Sequence, residues 1–204
     1  RSLKTIFWLM VLGALGLATG PWIENREIES VGLVGHTVGT VWLLIRWARA
    51  KRWQGTCALP GALHAVTSYF WLLVAVAMAP LIVFTPARDL AQRIAQQGGP
   101  ILIFGWLLQF SYALVPYLFR RGLLPEKPAG LGGSWVSLVA GHLGTALYLA
   151  GLFAVDLRPM LHAAGYGLWA LSALPIVVDV WQVLRAALDG FPEEGAEPRA
   201  LEGA

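Results

Sequence analysis

Apolar residues along this chain fall in long uninterrupted blocks, and the charged residues collect between them. Six blocks are long enough to cross about 30 Å of hydrocarbon at about 1.5 Å per helical residue. They run over Leu3–Gly20, Val31–Ala48, Leu59–Thr85, Gly98–Phe119, Trp135–Val155 and Met160–Leu184. The blocks are continuous rather than alternating, which excludes the dyad repeat of a membrane barrel. The pattern therefore predicts an all-α, polytopic integral membrane bundle of six transmembrane helices. Two stretches do not span. In Pro86–Gln97, Ala87, Leu90, Ala91 and Ile94 share one face and Arg88, Asp89, Arg93 and Gln96 lie around it, which predicts a short amphipathic helix on the outer surface. Residues 189–204 are acidic and rich in Gly and Pro, which predicts a flexible cytoplasmic tail after a membrane domain of residues 1–188.

Composition agrees with a lipid solvent: 57% of residues are hydrophobic and only 13% charged, against about 25% charged in a soluble domain. The first block has a basic front and an apolar body, as signal peptides do, but its length and the lack of a small-x-small cleavage site favour a membrane helix. With the N-terminus inside, eleven Lys and Arg lie on the inner side and four (Arg26, Arg88, Arg93, Arg158) on the outer side. This asymmetry predicts both ends in the cytoplasm, in what we expect to be a bacterial inner membrane. Trp22, Trp47, Trp53, Trp135 and Trp181 fall near block ends, as interfacial belts require. The net charge of +3 is spread over block edges and gives no nucleic-acid footprint. Cys57 is the only cysteine, which excludes an internal disulfide and a cysteine-held cluster. No phosphate loop, zinc-protease motif or Ser/His/Asp string is present, and no catalytic residue is expected.

Chemistry is concentrated in four histidines inside or at the ends of the blocks, where polar groups are costly and mark function by default. His36 and His162 lie toward the outer face, and His64 and His142 toward the inner. Two pairs at two depths is what a cytochrome b with bis-histidine heme requires. Gly61 and Gly141 leave room beside the inner pair, and Gly35, Gly39 and Gly144 flank the ligands similarly. Interfacial water or interhelical hydrogen bonding accounts for the same residues without heme b. The fourth block carries a mid-depth polar cluster, Gln109, Ser111 and Tyr112, readable as a proton or quinone path or as helix–helix glue. Asp179 is expected as an exposed carboxylate near the inner interface.

The segment ILIFGWLLQFSYALVPYLFRRGLLPEKPAGLGGSWVSLVAGHLGTALYLAGLFAV, residues 101–155, resembles the late helices of subunit I of the heme–copper oxidase superfamily, in its C-type oxidase and nitric oxide reductase branch. Gly105, Trp106, Tyr112, Val115, Pro116, Arg120 and Arg121 carry the likeness in one helix, and Trp135, Leu147 and Tyr148 in the next. Six helices with both ends inside also resemble the C-terminal half of that subunit. The family's His-x-His heme ligands precede the Gly-Trp, where this chain has Gln96, Gln97, Gly98, Gly99 and Pro100. The resemblance thus implies a relative that keeps the scaffold without the catalytic metals, an accessory subunit of a respiratory-type electron-transfer complex with other membrane subunits and lipid as partners. A stand-alone cytochrome b and a small cofactor-free transporter or channel remain open beside it.

Overall fold

A computed structural model describes residues 2–50, 59–84 and 88–189. The expectations for Trp53, Cys57, Pro86, Ala87 and residues 190–204 lie outside the described residues. Among the described residues helix is the only regular secondary structure, with no strand. The helices are α1 (Ser2–Thr19), α2 (Arg26–Ala50), α3 (Pro60–Phe84), α4 (Asp89–Gln97), α5 (Leu108–Leu123), α6 (Trp135–Phe153) and α7 (Arg158–Leu188). A π-helical segment, Ile101–Leu107, runs directly into α5, and a 3-10 turn, Val155–Leu157, joins α6 to α7. Six helical stretches are long and apolar enough to cross a membrane, and α4 is not one of them. This matches the six blocks and makes the chain an integral membrane protein with lipid against its outer faces.

Local chemistry sets the ends. α2 starts about one turn before its apolar block, because Asn25 Oδ1 accepts from the backbone N–H of Glu27 (3.0 Å) and Ile28 (3.2 Å). Glu27 and Glu29 in its first turn complement the positive helix terminus. Ser134 caps α6 by accepting from Ser137 N–H at 3.0 Å. Pro80, Pro116 and Pro175 lie inside α3, α5 and α7, which continue through them.

The closest packing is between sequence neighbours, α1 with α2 and α6 with α7, while α3 and α5 form the middle of the bundle. Glycines make both close crossings. A Cβ on Gly13 or Gly32 would strike the backbone of the facing helix, and one on Gly144 or Gly165 would lie 2.9 Å from the other's carbonyl oxygen. Gly39 likewise packs on Met10, and Gly141 on Gln109. The glycine faces are thus consumed inside the chain, as small residues at membrane helix crossings usually are.

α4 behaves similarly. Its apolar face, through Ala91 and Ile94, is buried against α3 and α6. Arg93 Nε donates to the Leu152 carbonyl at the end of α6 (3.3 Å). The core it closes contains Trp71, Met78, Ile101, Tyr148, Leu152 and Trp169. The amphipathic stretch is therefore a lid on its own bundle rather than a free apolar face.

Candidate functional site

The inner histidines do come together, at the junction of α3, α5 and α6. His64 is fully buried, and its Nδ1–H donates to Gln109 Oε1 at 2.8 Å. The ring meets Tyr112 edge-on, with centroids 5.6 Å apart. Its Nε2 faces the backbone of Gly133 and Ser134 without a hydrogen bond of normal geometry. His142 is held on both sides. Trp71 Nε1–H donates to its Nδ1 at 2.6 Å, and its Nε2 lies 2.7 Å from Thr67 Oγ1.

These contacts fix the tautomer of His142. An indole nitrogen only donates, so Nδ1 must be the bare nitrogen. Thr67 spends its own hydroxyl proton on the Leu63 carbonyl (2.7 Å), so Nε2–H must be the donor to Thr67. The buried His64 Nε2 and Gln109 Nε2 have no hydrogen-bond partner, but His142 is thus a neutral imidazole. In hydrocarbon, where a charged side chain is costly, that is the cheaper solution.

The outer histidines are not brought together. His36 Nδ1 is 3.1 Å from the Met10 carbonyl on α1. His162 stacks on Tyr148 of α6 with ring centroids 3.9 Å apart and planes within 9°. α2 packs against α1 and α3, whereas α7 packs against α6 and α5.

The polar cluster of the fourth span divides by helical face. Gln109, Tyr112, Ala113 and Pro116, spaced i, i+3, i+4, i+7, form the buried side of α5. Ser172 gives its proton to the Trp169 carbonyl (2.7 Å), so Tyr112 Oη–H donates to Ser172 Oγ at 2.9 Å. Ser111 turns back on its own helix, to the Leu107 carbonyl at 2.7 Å, and takes no part. Asp179 departs from expectation: it is only partly exposed and forms an ion pair with Arg120, whose other amino group reaches the Gly130 carbonyl at 3.2 Å. Arg120 lies in the last turn of α5, about two turns below Tyr112 and three below Gln109, so the carboxylate meets it between helices instead of water.

Sequence reasoning missed Thr67, Trp71 and Ser172 as members of this interior. Thr67 and Trp71 lie three and seven residues after His64 on α3. That i, i+3, i+7 stripe of polar-capable side chains was the available signal.

The fit of a heme can be tested on these contacts. A porphyrin between His64 and His142 needs a bare Nε2 on each and open space at the flanking glycines. His142 Nε2 carries a proton committed to Thr67. Gly61 is packed on Gly132 and Leu131, Gly141 on the Gln109 amide, and Gly133 on the His64 ring. As packed, the inner pair does not fit a porphyrin. Compared with family models, curated proteins and solved structures, the chain shows no match.

Proposed function

We propose that this chain is a non-catalytic membrane subunit of a respiratory-type electron-transfer complex, built on a heme–copper-oxidase-like scaffold without the metal ligands. The observation that carries the reading is the pairing of His64 with Gln109 and of His142 with Thr67 and Trp71 at the junction of α3, α5 and α6. Two of these side chains, Gln109 and His142, stand on α5 and α6, the helices whose sequence resembles that scaffold. His64 and His142 are each engaged by neighbouring protein groups. We further propose that both ends face the cytoplasm across a bacterial inner membrane, on the basic asymmetry of the loops.

The test is purification from native membranes in mild detergent, followed by native electrophoresis and an absorption spectrum. Migration with heme-bearing subunits, and a colourless chain once dissociated from them, is the expected outcome. A Soret band retained by the isolated chain would make it a cytochrome b. A colourless, free-standing chain in native membranes would move the reading to a transporter or channel.

A further inference from the structure

At the basic end of α5 the chain turns through residues 124–134 and folds back on the helix. Gly132 N–H donates to the Ala113 carbonyl at 3.0 Å, Lys127 N–H to the Leu124 carbonyl at 3.0 Å, and Arg120 ties down Gly130. This brings Lys127 back over the last turn of α5. A cavity of about 380 Å³ results, lined by Tyr117, Arg121, Pro125, Lys127 and Ala129.

Two cations and a phenol line this cavity, and no acidic side chain does. The nearby acid, Asp179, is taken by Arg120 in the neighbouring cavity, which Lys127 also borders. Glu126, in the same loop, does not line it and forms no ion pair with any described residue. Arg121 Nη1 donates to Tyr117 Oη at 2.9 Å. That bond orients the guanidinium, leaves its remaining N–H groups free, and leaves the phenol proton available to a third party. A fixed guanidinium fork, an ammonium and a hydroxyl around one space is a donor set for a tetrahedral oxyanion. One turn into the span from this end, Leu118 and Phe119 are exposed on α5, so hydrocarbon adjoins the cavity.

We propose that this cavity binds the phosphate headgroup of an anionic phospholipid, with its acyl chains along the lipid-facing side of α5. The phosphate lies between Arg121 and Lys127 and accepts from Tyr117. An apolar wall next to the cations favours a lipid over a free phosphate. The proposal requires only that α5 spans a bilayer.

The experiment measures retention of fluorescent anionic and zwitterionic phospholipids by the purified full chain in detergent. The Arg121→Gln/Lys127→Gln double variant is compared with a Lys4→Gln/Arg185→Gln variant that loses the same charge outside the cavity. Wild type should prefer the anionic lipid. The cavity variant should bind it roughly thirtyfold more weakly, from the typical worth of two cations facing an anionic headgroup. The control variant should bind as wild type, and both should keep the wild-type melting temperature. Equal losses in both variants, or none in the cavity variant, would overturn the proposal. So would competition by inorganic phosphate alone at concentrations comparable to the lipid, which would assign the site to free phosphate. Tyr117→Phe, which keeps the ring, should weaken binding by a smaller factor; an unchanged affinity there would remove the phenol from the donor set.

Discussion

Replacing Gly141 by Ala is expected to break a hydrogen bond that Gly141 does not make. The added Cβ would overlap Gln109 Nε2 and stand 2.9 Å from its Cδ, where carbon atoms prefer about 3.5–4.0 Å. The amide must retreat by roughly 0.6–1 Å, and its Oε1 is bonded to His64 Nδ1 at 2.8 Å. A retreat of that size takes the pair past the range of a real hydrogen bond. Overpacking costs about 1–3 kcal/mol and a membrane-interior hydrogen bond contributes about 0.6 kcal/mol, so Gly141→Ala should destabilise by about 2–3 kcal/mol. Gln109→Ala, which orphans His64 and opens a small void, should cost about 2 kcal/mol. The double variant is the informative one: with the amide gone the new methyl group has nothing to strike, so the pair should cost no more than Gln109→Ala alone. That is a coupling of about 2 kcal/mol, where independent sites add to within about 0.5 kcal/mol. The assay is reversible unfolding of the four proteins in mixed micelles titrated with a denaturing detergent. Additive single effects would refute the reasoning, because they would mean that Gly141 and Gln109 do not share the space.

Nitrogen-15 NMR of His142 should show a protonated Nε2 and a bare Nδ1, and Trp71→Phe should release that preference; a protonated Nδ1 in the native protein would contradict the network. Neutralising Asp179 as Asn should destabilise by about 2 kcal/mol, by stranding Arg120 in a half-buried place, and Arg120→Gln added to it should restore part of the loss; the same unfolding titration reads both. Gly32→Ala puts a Cβ 2.7 Å from the Leu17 backbone nitrogen, which cannot move aside, so the α1–α2 pair should loosen, whereas Gly167→Ala meets nothing within 4 Å and should be neutral or stabilise by up to about 1 kcal/mol. Protease-cleavable tags at Ala50, Gly130 and the C-terminus should be protected from outside in intact cells and a tag at Asn25 exposed; cleavage at Gly130 from outside would overturn the proposed orientation.

The spans were legible in the sequence because hydrocarbon imposes one strong rule, continuous apolar length, and each block met it. Helix ends were less legible: α2 begins at Arg26 rather than Val31 because Asn25 and two acids outweigh the loss of apolar content. The site was half legible. Depth counting paired His64 with His142, but depth says nothing of rotation about the helix axis, so the same reasoning paired His36 with His162, whose helices pack elsewhere. Rotation is least readable in the fourth span. The π-helical turn at Ile101–Leu107 packs more residues into each turn than an α-helix. A regular wheel carried from Gly98 across that segment therefore drifts out of phase with Gln109 and Tyr112. Gly105 itself, four residues before Gln109, lies on the same side, against Trp71 and Thr145. The glycines near the histidines signalled close approach correctly; sequence could not say that protein, rather than a macrocycle, makes it.

The glycine crossings at the two ends of the bundle bear on how the protein is made. α1 and α2 are joined by a short turn and touch backbone to backbone, and so do α6 and α7. Each pair can close as soon as its second helix leaves the ribosome, from contacts only a few tens of residues apart, so its rate is set by local chain closure. The polar centre has no such early partner. His64 on α3 must wait for Gln109 on α5, and His142 on α6 must then meet Thr67 and Trp71. Between those moments, nascent chains stalled after α3 carry an imidazole into the bilayer with no group of their own to satisfy it.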